Sequence, residues 1–541
     1  MRRVLIPLGR GFVIALGVVA AVLGMHVESQ HLVLGGVVGT LIYLLVLWQQ
    51  APGDRRVSRG VMFLYWASAA LLLPWAVLRQ HFGPFSLSAL VFHLEAGLGD
   101  KIPDGTILPL AAATALMLAM AHALYMVGSR RRWGAAVLVP LAIVFALANP
   151  VTQAAGIKAY FAAVGAPPAV MRDVHPPAPR IKGDHPNLVL IYLEGLERTY
   201  GEAPFGAAYA PLADLAQDAV RFTGVGQLPL TDWTTAGIVA SQCGYPMVPR
   251  GLTQHNRVDT DGGIYAGQTC LGDVLHTAGY RNVAVMGVEA EFGGVAAFLN
   301  AHHTDTLIDL HNLKAMGATD ESGWGMQDGE VFKAALDELR ALERADQPYA
   351  LTVVTIGPHG PNGYVSKECR RDGIGPEDPD ILLAVECTAR LTRDFVRRAQ
   401  GVVDPDNTLF VLVSDHLAHP RVSAITDLIA FDRRNTALML GAGLSSQDIS
   451  RPGSMIDLYP TILEAMGFAP QGQRAGLGVS LFSDLPEFGR GQSDWMIQQR
   501  LRNGRAFASW LWEGEGTALP PQNRGQAPIP KATVMQEMVR E

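Results

Sequence analysis

Charge is scarce in this chain, and cysteine is scarcer. Only 17% of the 541 residues are charged, and acidic side chains outnumber basic ones to leave a net charge of −7. There is no basic surplus of the kind that neutralises phosphate backbones, so no nucleic-acid partner is expected. The four cysteines, Cys243, Cys270, Cys369 and Cys387, all follow residue 240. The apolar first part of the chain has none. An even set suits disulfides in an oxidising compartment. Three pairings are open, and the shortest loops come from Cys243–Cys270 with Cys369–Cys387. Four buried thiols remain the alternative until the compartment is known. No internal repeat is visible. The length exceeds one ordinary domain.

What the chain has instead is apolar sequence. Hydrophobic residues make up 49%, and mean hydropathy is positive. Apolar runs recur at Val4–Gly24, His31–Trp48, Val61–Leu78, Ile107–Val127 and Gly134–Ala148. Each is near the ~20 residues that cross a bilayer, the last being short. A cleaved signal peptide would account for the first run alone, but four more follow it. Arginines lie before the first run (Arg2, Arg3), between the second and third (Arg55, Arg56, Arg59) and between the fourth and fifth (Arg130, Arg131, Arg132). Basic loops stay in the cytoplasm. Five crossings then put everything after residue 150 outside, in the periplasm of a Gram-negative cell. The expected division is a transmembrane anchor of about five helices over 1–150, a juxtamembrane helix and proline-rich linker over 151–186, a catalytic domain over 187–485 and an extension over 486–541. Residues 151–165 read either as an amphipathic helix on the membrane surface or as an ordinary juxtamembrane helix.

After residue 186 the pattern changes. Asn187–Leu193 is a short continuous apolar run, as in a buried parallel strand. Similar runs are Asn282–Met286, Tyr349–Thr355, Thr408–Val413 and Ala437–Leu440, with helix-like stretches such as Gly329–Ala345 and Ile381–Gln400 between them. This alternation predicts an α/β domain with a mostly parallel central sheet covered on both faces. Ligands of such sheets sit outside the carboxyl ends of the strands.

Two predicted strands run into hard ligands, the first into Glu194 and the Thr408 run, through Ser414, into Asp415-His416. Each has a plain alternative: an acidic residue at a strand end often caps the next helix. Together they make an O/N donor set suited to Mn²⁺ or Zn²⁺. Thr231 follows a proline-containing turn and precedes the helix-like run Asp232–Gln242. It reads either as a helix cap or as a nucleophile whose alkoxide is favoured by a helix N-terminus and a metal ion. His359, in Pro-His-Gly-Pro, is a solvated turn histidine or an acid–base group. Trp324-Gly-x-x-Asp328 marks either a helix start or a substrate contact.

The stretches 187–200 (NLVLIYLEGLERTY), 227–244 (QLPLTDWTTAGIVASQCG), 355–364 (TIGPHGPNGY), 412–416 (LVSDH) and 454–467 (SMIDLYPTILEAMG) resemble the membrane-anchored alkaline-phosphatase/sulfatase superfamily. The resemblance covers roughly 187–485. It is nearest to the phosphoglycerol transferases of osmoregulated periplasmic glucans, whose relatives include lipoteichoic acid synthases and lipid A phosphoethanolamine transferases. It implies that Glu194, Thr231, Asp415 and His416 bind the metal. It also implies that Thr231 carries a phosphoryl intermediate and that His359, with Trp324 and Asp328, contacts substrate. The spacing Thr231-x-x-Thr234 is similar to the Cys-x-x-Ser of sulfatases and favours Thr231 over Thr234 or Thr235. Residues 285–294 lack the His-Gly and Trp-Asn-Arg of lipoteichoic acid synthases. A threonine cannot become the formylglycine of a sulfatase. The implied enzyme takes phosphoglycerol from phosphatidylglycerol at the outer face of the bilayer and passes it to periplasmic glucan. A phosphoethanolamine transferase and a metal-dependent phosphodiesterase are the alternatives.

Overall fold

The computed structural model describes residues 170–514 apart from 178, 182, 249–262, 346, 361, 376–380, 420–426 and 504. Of the apolar N-terminal part it describes 60, 61, 63–69, 72, 121, 125 and 134–148. By contacts the chain separates into two units, one drawn from the first 166 residues and the other containing everything after them.

In the first unit, helix α1 (Gly134–Ala148) coincides with the fifth apolar run and contains Pro140. The Tyr65 hydroxyl donates to Ala121 O at 2.7 Å, tying the third run to the fourth. Among the described residues no helix is long and apolar enough to cross a membrane. The runs Val4–Gly24 and His31–Trp48, half of Val61–Leu78, most of Ile107–Val127 and the segment 151–165 lie outside the described residues.

The second unit is built on an eight-stranded sheet. Its strands are β1 (Asn187–Leu193), β2 (Val220–Phe222), β3 (Arg281–Met286), β4 (Thr306–Ile308), β5 (Tyr349–Val354), β6 (Thr408–Ser414), β7 (Ala437–Gly441) and β8 (Gln447–Ile449). The order across the sheet is β8-β2-β7-β6-β1-β5-β3-β4. All pairings are parallel except the two made by β7. The five strands expected from apolar runs are β1, β3, β5, β6 and β7, which are adjacent in the sheet. The three that escaped, β2, β4 and β8, are three residues each and carry too few apolar side chains to stand out.

Alternate residues of β1 serve opposite faces, as the two-residue period of a strand demands. Leu188, Leu190 and Tyr192 join a core with α3 (Thr234–Cys243) and α6 (Met455–Ala465). Val189, Ile191 and Leu193 join the opposite core, with α2 (Gly206–Leu215), α4 (Asp328–Glu343) and α5 (Ile381–Gln400). Each fully buried aliphatic side chain contributes about 1.5–3 kcal/mol, which is why the central strand reads as an unbroken apolar run.

Both ends of this unit are more tightly integrated than the sequence indicates. The proline-rich stretch read as a linker is bound from Val170 onward: Val170 and Met171 are buried, and His175 pairs with Gly476 through two backbone hydrogen bonds of 2.8 and 2.7 Å. The C-terminal extension forms α7 (Asp494–Asn503) and α8 (Arg505–Glu513). Phe507, Trp510 and Trp512 pack on Tyr245 and Tyr265. Residues 515–541 lie outside the described residues. Two disulfides are present, Cys243–Cys270 and Cys369–Cys387. The first joins the end of α3 to the start of the helix Leu271–Thr277. The second joins the short helix Lys367–Arg371 to α5.

Candidate active site

Strand register brings the first ligands together. β1 and β6 are parallel neighbours with Leu193 opposite Ser414. The next residue on each strand is Glu194 and Asp415, so two carboxylates emerge side by side at the carboxyl edge of the sheet. His416 follows directly. Glu194, Asp415 and His416 are all buried, and one ligand atom from each lies within 4.8 Å of the others. The His416 Nε2 is 3.6 Å from Glu194 Oε1 and 3.5 Å from Asp415 Oδ2. Its Nδ1 lies 2.9 Å from Leu417 O, which assigns the proton to Nδ1 and leaves the Nε2 lone pair facing the carboxylates.

The backbone holds these groups rigidly. Asp415 Oδ1 accepts from Gly195 N at 2.9 Å and from His416 N at 2.8 Å. Gly195 has φ 53°, a conformation that suits glycine. β5, on the other side of β1, supplies Thr355, whose Oγ1 accepts from Glu194 N at 3.0 Å. Asp415 Oδ2 is buried and accepts no hydrogen bond.

Two buried carboxylates this close repel each other's charge. Burial, and then the charge of Glu194, push Asp415 up to about 7. Glu194 is raised by burial, against the opposing pull of His416. Burial alone would lower His416, but the Asp415 and Glu194 carboxylates outweigh it and raise the imidazole. A site with surplus buried negative charge, an uncommitted carboxylate oxygen and an oriented imidazole lone pair fits a divalent cation by its donor chemistry.

The hydroxyl that meets this cluster is Thr234's. It is the first residue of α3, and its Oγ1 donates to Glu194 Oε2 at 3.2 Å. Thr231, which the sequence favours, is fully buried, and its Oγ1 donates to Leu228 O at 2.8 Å. It does not cap α3 either, since the residue before the helix is Trp233, which makes no side-chain cap. A sequence signal for Thr234 existed. Gly237 lies inside α3, where glycine costs about 1 kcal/mol against alanine. A Cβ there would lie 1.9 Å from Asp415 O. The helix therefore packs directly on the backbone of the ligand loop, and Thr234, one turn before Gly237, arrives at Glu194.

His359 lies four residues beyond Thr355. Its Nδ1 is 3.1 Å from Gly360 O, and its ring sits against Trp324 with centroids 3.9 Å apart. Burial pushes it down to about 4, only partly offset by the Gly360 bond, so the imidazole is neutral near pH 7. Asp328 is hydrogen-bonded within the protein. Its carboxylate accepts from Ile356 N at 2.7 Å, Gly357 N at 3.1 Å and Thr388 Oγ1 at 2.6 Å. It is fully buried and pins the loop that carries His359. Trp324 is in ring contact with both His359 and Phe292. The 289–294 loop borders α3 here, for Thr235 Oγ1 donates to Gly293 O at 2.7 Å.

A mostly parallel α/β sheet with a carboxylate–imidazole cluster at its carboxyl edge defines a sulfatase-like domain. The chain belongs to the sulfatase family, whose model matches residues 186–468. It is 30% identical over 496 residues to phosphoglycerol transferase I of Xanthomonas axonopodis pv. citri, covering 88% of this chain and 69% of the relative. It is 33% identical over 341 residues to phosphoglycerol transferase I of Xanthomonas campestris pv. campestris, covering 62% of this chain and 48% of the relative. Among solved structures, the lipoteichoic acid synthase LtaP of Listeria monocytogenes matches with a TM-score of 0.48 and 15% identity, covering 61% of this chain and 91% of that one.

Proposed function

We propose that this chain is a membrane-anchored phosphotransferase of the periplasm. It moves phosphoglycerol from phosphatidylglycerol to a hydroxyl of periplasmic glucan and leaves diacylglycerol. The anchor is residues 1–150, followed by the juxtamembrane part 151–186, the catalytic domain 187–485 and the extension 486–541. The observation that carries the reading is the Thr234 hydroxyl at a helix N-terminus, 3.2 Å from Glu194 in the buried Glu194–Asp415–His416 cluster. The names of the relatives support the head group.

The transfer runs as two displacements. First the Thr234 oxygen bonds to phosphorus and the bond from phosphorus to the diacylglycerol oxygen breaks. The proton leaving Thr234 is balanced by the one diacylglycerol gains. Then a sugar oxygen bonds to phosphorus, the phosphothreonine bond breaks, and the sugar's proton is balanced by the one returned to Thr234. The helix N-terminus favours the developing alkoxide. His359, neutral and with Nε2 free of its backbone bond, is the group that relays a proton at the leaving and entering oxygens. Trp324 packs on it, and Asp328 fixes its loop. Glu194, Asp415 and His416 would hold Mn²⁺ or Zn²⁺, which when bound lowers the pKa of an adjacent hydroxyl and neutralises phosphoryl charge.

A second reading has one observation in its favour. The acidic loop that carries Glu289 and Glu291 borders α3, where carboxylates suit a cationic ethanolamine head group. Both readings meet in one assay. Full-length protein in membranes is given labelled phosphatidylglycerol or phosphatidylethanolamine, with and without purified periplasmic glucan. The expected result is diacylglycerol release from phosphatidylglycerol with label moving to glucan. Release from phosphatidylethanolamine alone establishes the second reading. Label ending only in free glycerol phosphate makes the enzyme a phosphodiesterase.

A further inference from the structure

The turn before α3 contains an unusual piece of backbone. Leu228-Pro229-Leu230-Thr231 closes with Thr231 N donating to Leu228 O at 3.2 Å. Leu230 has φ 70°. This is the third position of a proline-containing turn, where glycine or asparagine is the usual occupant. A leucine held there is strained and persists only where its surroundings over-determine it. The Thr231 hydroxyl contributes by donating to Leu228 O, a second closure of the same turn.

Gln227 ties this turn to the metal-type ligands. Its Nε2 donates to Thr231 O and, at 3.1 Å, to Thr231 Oγ1. Its Oε1 accepts from Leu417 N at 2.9 Å. Leu417 is the residue after His416, and its carbonyl is the group that sets the His416 tautomer. One amide therefore spans the loop that leads to Thr234 and the loop that carries Asp415 and His416. A parallel tie lies one layer deeper. Asn435 Nδ2 donates to Gly226 O at 3.0 Å, and its Oδ1 accepts from Ser414 Oγ at 3.0 Å.

We infer that Gln227, acting with Thr231, is a positioning residue that sets the Thr234 hydroxyl against the Asp415–His416 loop. The inference rests on the phosphotransferase reading with Thr234 as nucleophile. It gives Thr231 a role other than attack. A reacting oxygen displaced by about 1 Å loses on the order of 100-fold in rate, whereas the polar atoms of both side chains are bonded within the protein.

The test measures kcat and KM for phosphatidylglycerol, with glucan saturating, on the full-length enzyme. Gln227→Met keeps the side-chain length and removes all three hydrogen bonds. It is expected to lower kcat roughly 10- to 100-fold with KM within about twofold, assayed well below its transition because the unbonded Leu417 N lowers Tm. Thr231→Val is expected to follow the same split, and Thr231→Ser to restore most of the lost kcat. Should Gln227→Met fold poorly, the Val and Ser pair at 231 decides alone. A wild-type kcat in Gln227→Met and Thr231→Val overturns the inference, as does a rise confined to KM. Thr234→Ala, assayed beside them, separates the two levels. If it stays active, the nucleophile reading fails. If it is dead while the 227 and 231 variants are unimpaired, only the positioning role fails.

Discussion

The site is assembled from two kinds of backbone. Glu194 and Asp415 stand at the ends of adjacent parallel strands, where register alone makes them neighbours. The threonine hydroxyl arrives on a helix that follows an irregular loop with a positive-φ leucine, held by side-chain amides. Strand ends are fixed by ladder hydrogen bonds and by cores on both faces, so their geometry follows from which strands pair. A loop has no such ladder, and which of its hydroxyls faces the cluster depends on turn geometry and on one close helix contact. In this protein the first kind of placement is robust, and the second is open to single substitutions.

The largest expected effect separates the two threonines of that loop. Thr234→Ala removes the oxygen proposed to attack and is expected to lower transfer by at least about 10³-fold, since loss of a nucleophile removes most of the catalysis a site provides. Thr231→Ala is expected to cost only about tenfold, through the placement of its neighbours. Diacylglycerol release from labelled phosphatidylglycerol measures both. Equal and complete loss in the two variants would return attack to Thr231, and the loop would then have to rearrange on substrate binding.

The strand-end half is broken through its counter-charge. Dialysis against a chelator is expected to abolish transfer, and Mn²⁺ or Zn²⁺ to restore it. Asp415→Asn is expected to require more metal for half-activation, because one of the two carboxylates that would hold the cation is lost. Metal content measured on the purified protein gives a readout apart from turnover. An enzyme that keeps full activity after the chelator has brought its metal content to zero would remove the cation from the site.

An intermediate effect is expected at Asp328. Its carboxylate takes bonds from Ile356 N, Gly357 N and Thr388 Oγ1, so Asp328→Asn must turn an N–H₂ toward at least one donor. A buried donor left unsatisfied costs about 1–3 kcal/mol. The loop bearing His359 loosens with it, and kcat is expected to fall about tenfold while the metal content stays at the wild-type level. Loss of bound metal in this variant would tie Asp328 to the cluster instead of to the loop.

The same contrast governs what could be read from residues alone. Glu194, Asp415 and His416 were legible because an apolar run has a definite end and parallel strands in an α/β sheet share a carboxyl edge. The five adjacent strands of five to seven residues were legible for the same reason, being buried on both faces. The short strand Val220–Phe222 was not, since three residues give no periodicity. Thr231 and Thr234 could not be told apart by spacing to a sulfatase motif, because spacing does not report that Leu230 turns the chain at φ 70°. Gly237 held the missing information, but only the Asp415 carbonyl beside it gives that glycine its meaning. Asp328 read as a helix start or a substrate contact, and its three donors come from 356, 357 and 388, too far along the chain to be inferred. The apolar segments before residue 134 are clear as sequence, and the anchor built on them stands as a proposal.

The smallest effect on rate, with a large one on stability, is expected at the far end of α3. Cys243 closes that helix and is bonded to Cys270 across 27 residues. A loop of that size, closed in the unfolded chain, is worth about 3–4 kcal/mol in the chain-entropy account. The double substitution Cys243→Ser with Cys270→Ser is therefore expected to lower the stability of the catalytic domain by that order. Thr234 sits at the opposite end of the helix, fixed by the packing of Gly237 on the Asp415 carbonyl and by its bond to Glu194. The kcat of the molecules that remain folded is accordingly expected to stay within about threefold of wild type, far from the change of roughly 100-fold that a displaced oxygen brings. Thermal unfolding and transfer assayed well below the transition separate the two quantities. A large fall in kcat at low temperature would show that the nucleophile is positioned from the disulfide end of α3, and the division between a ladder-held half and a loop-held half would have to include that bond.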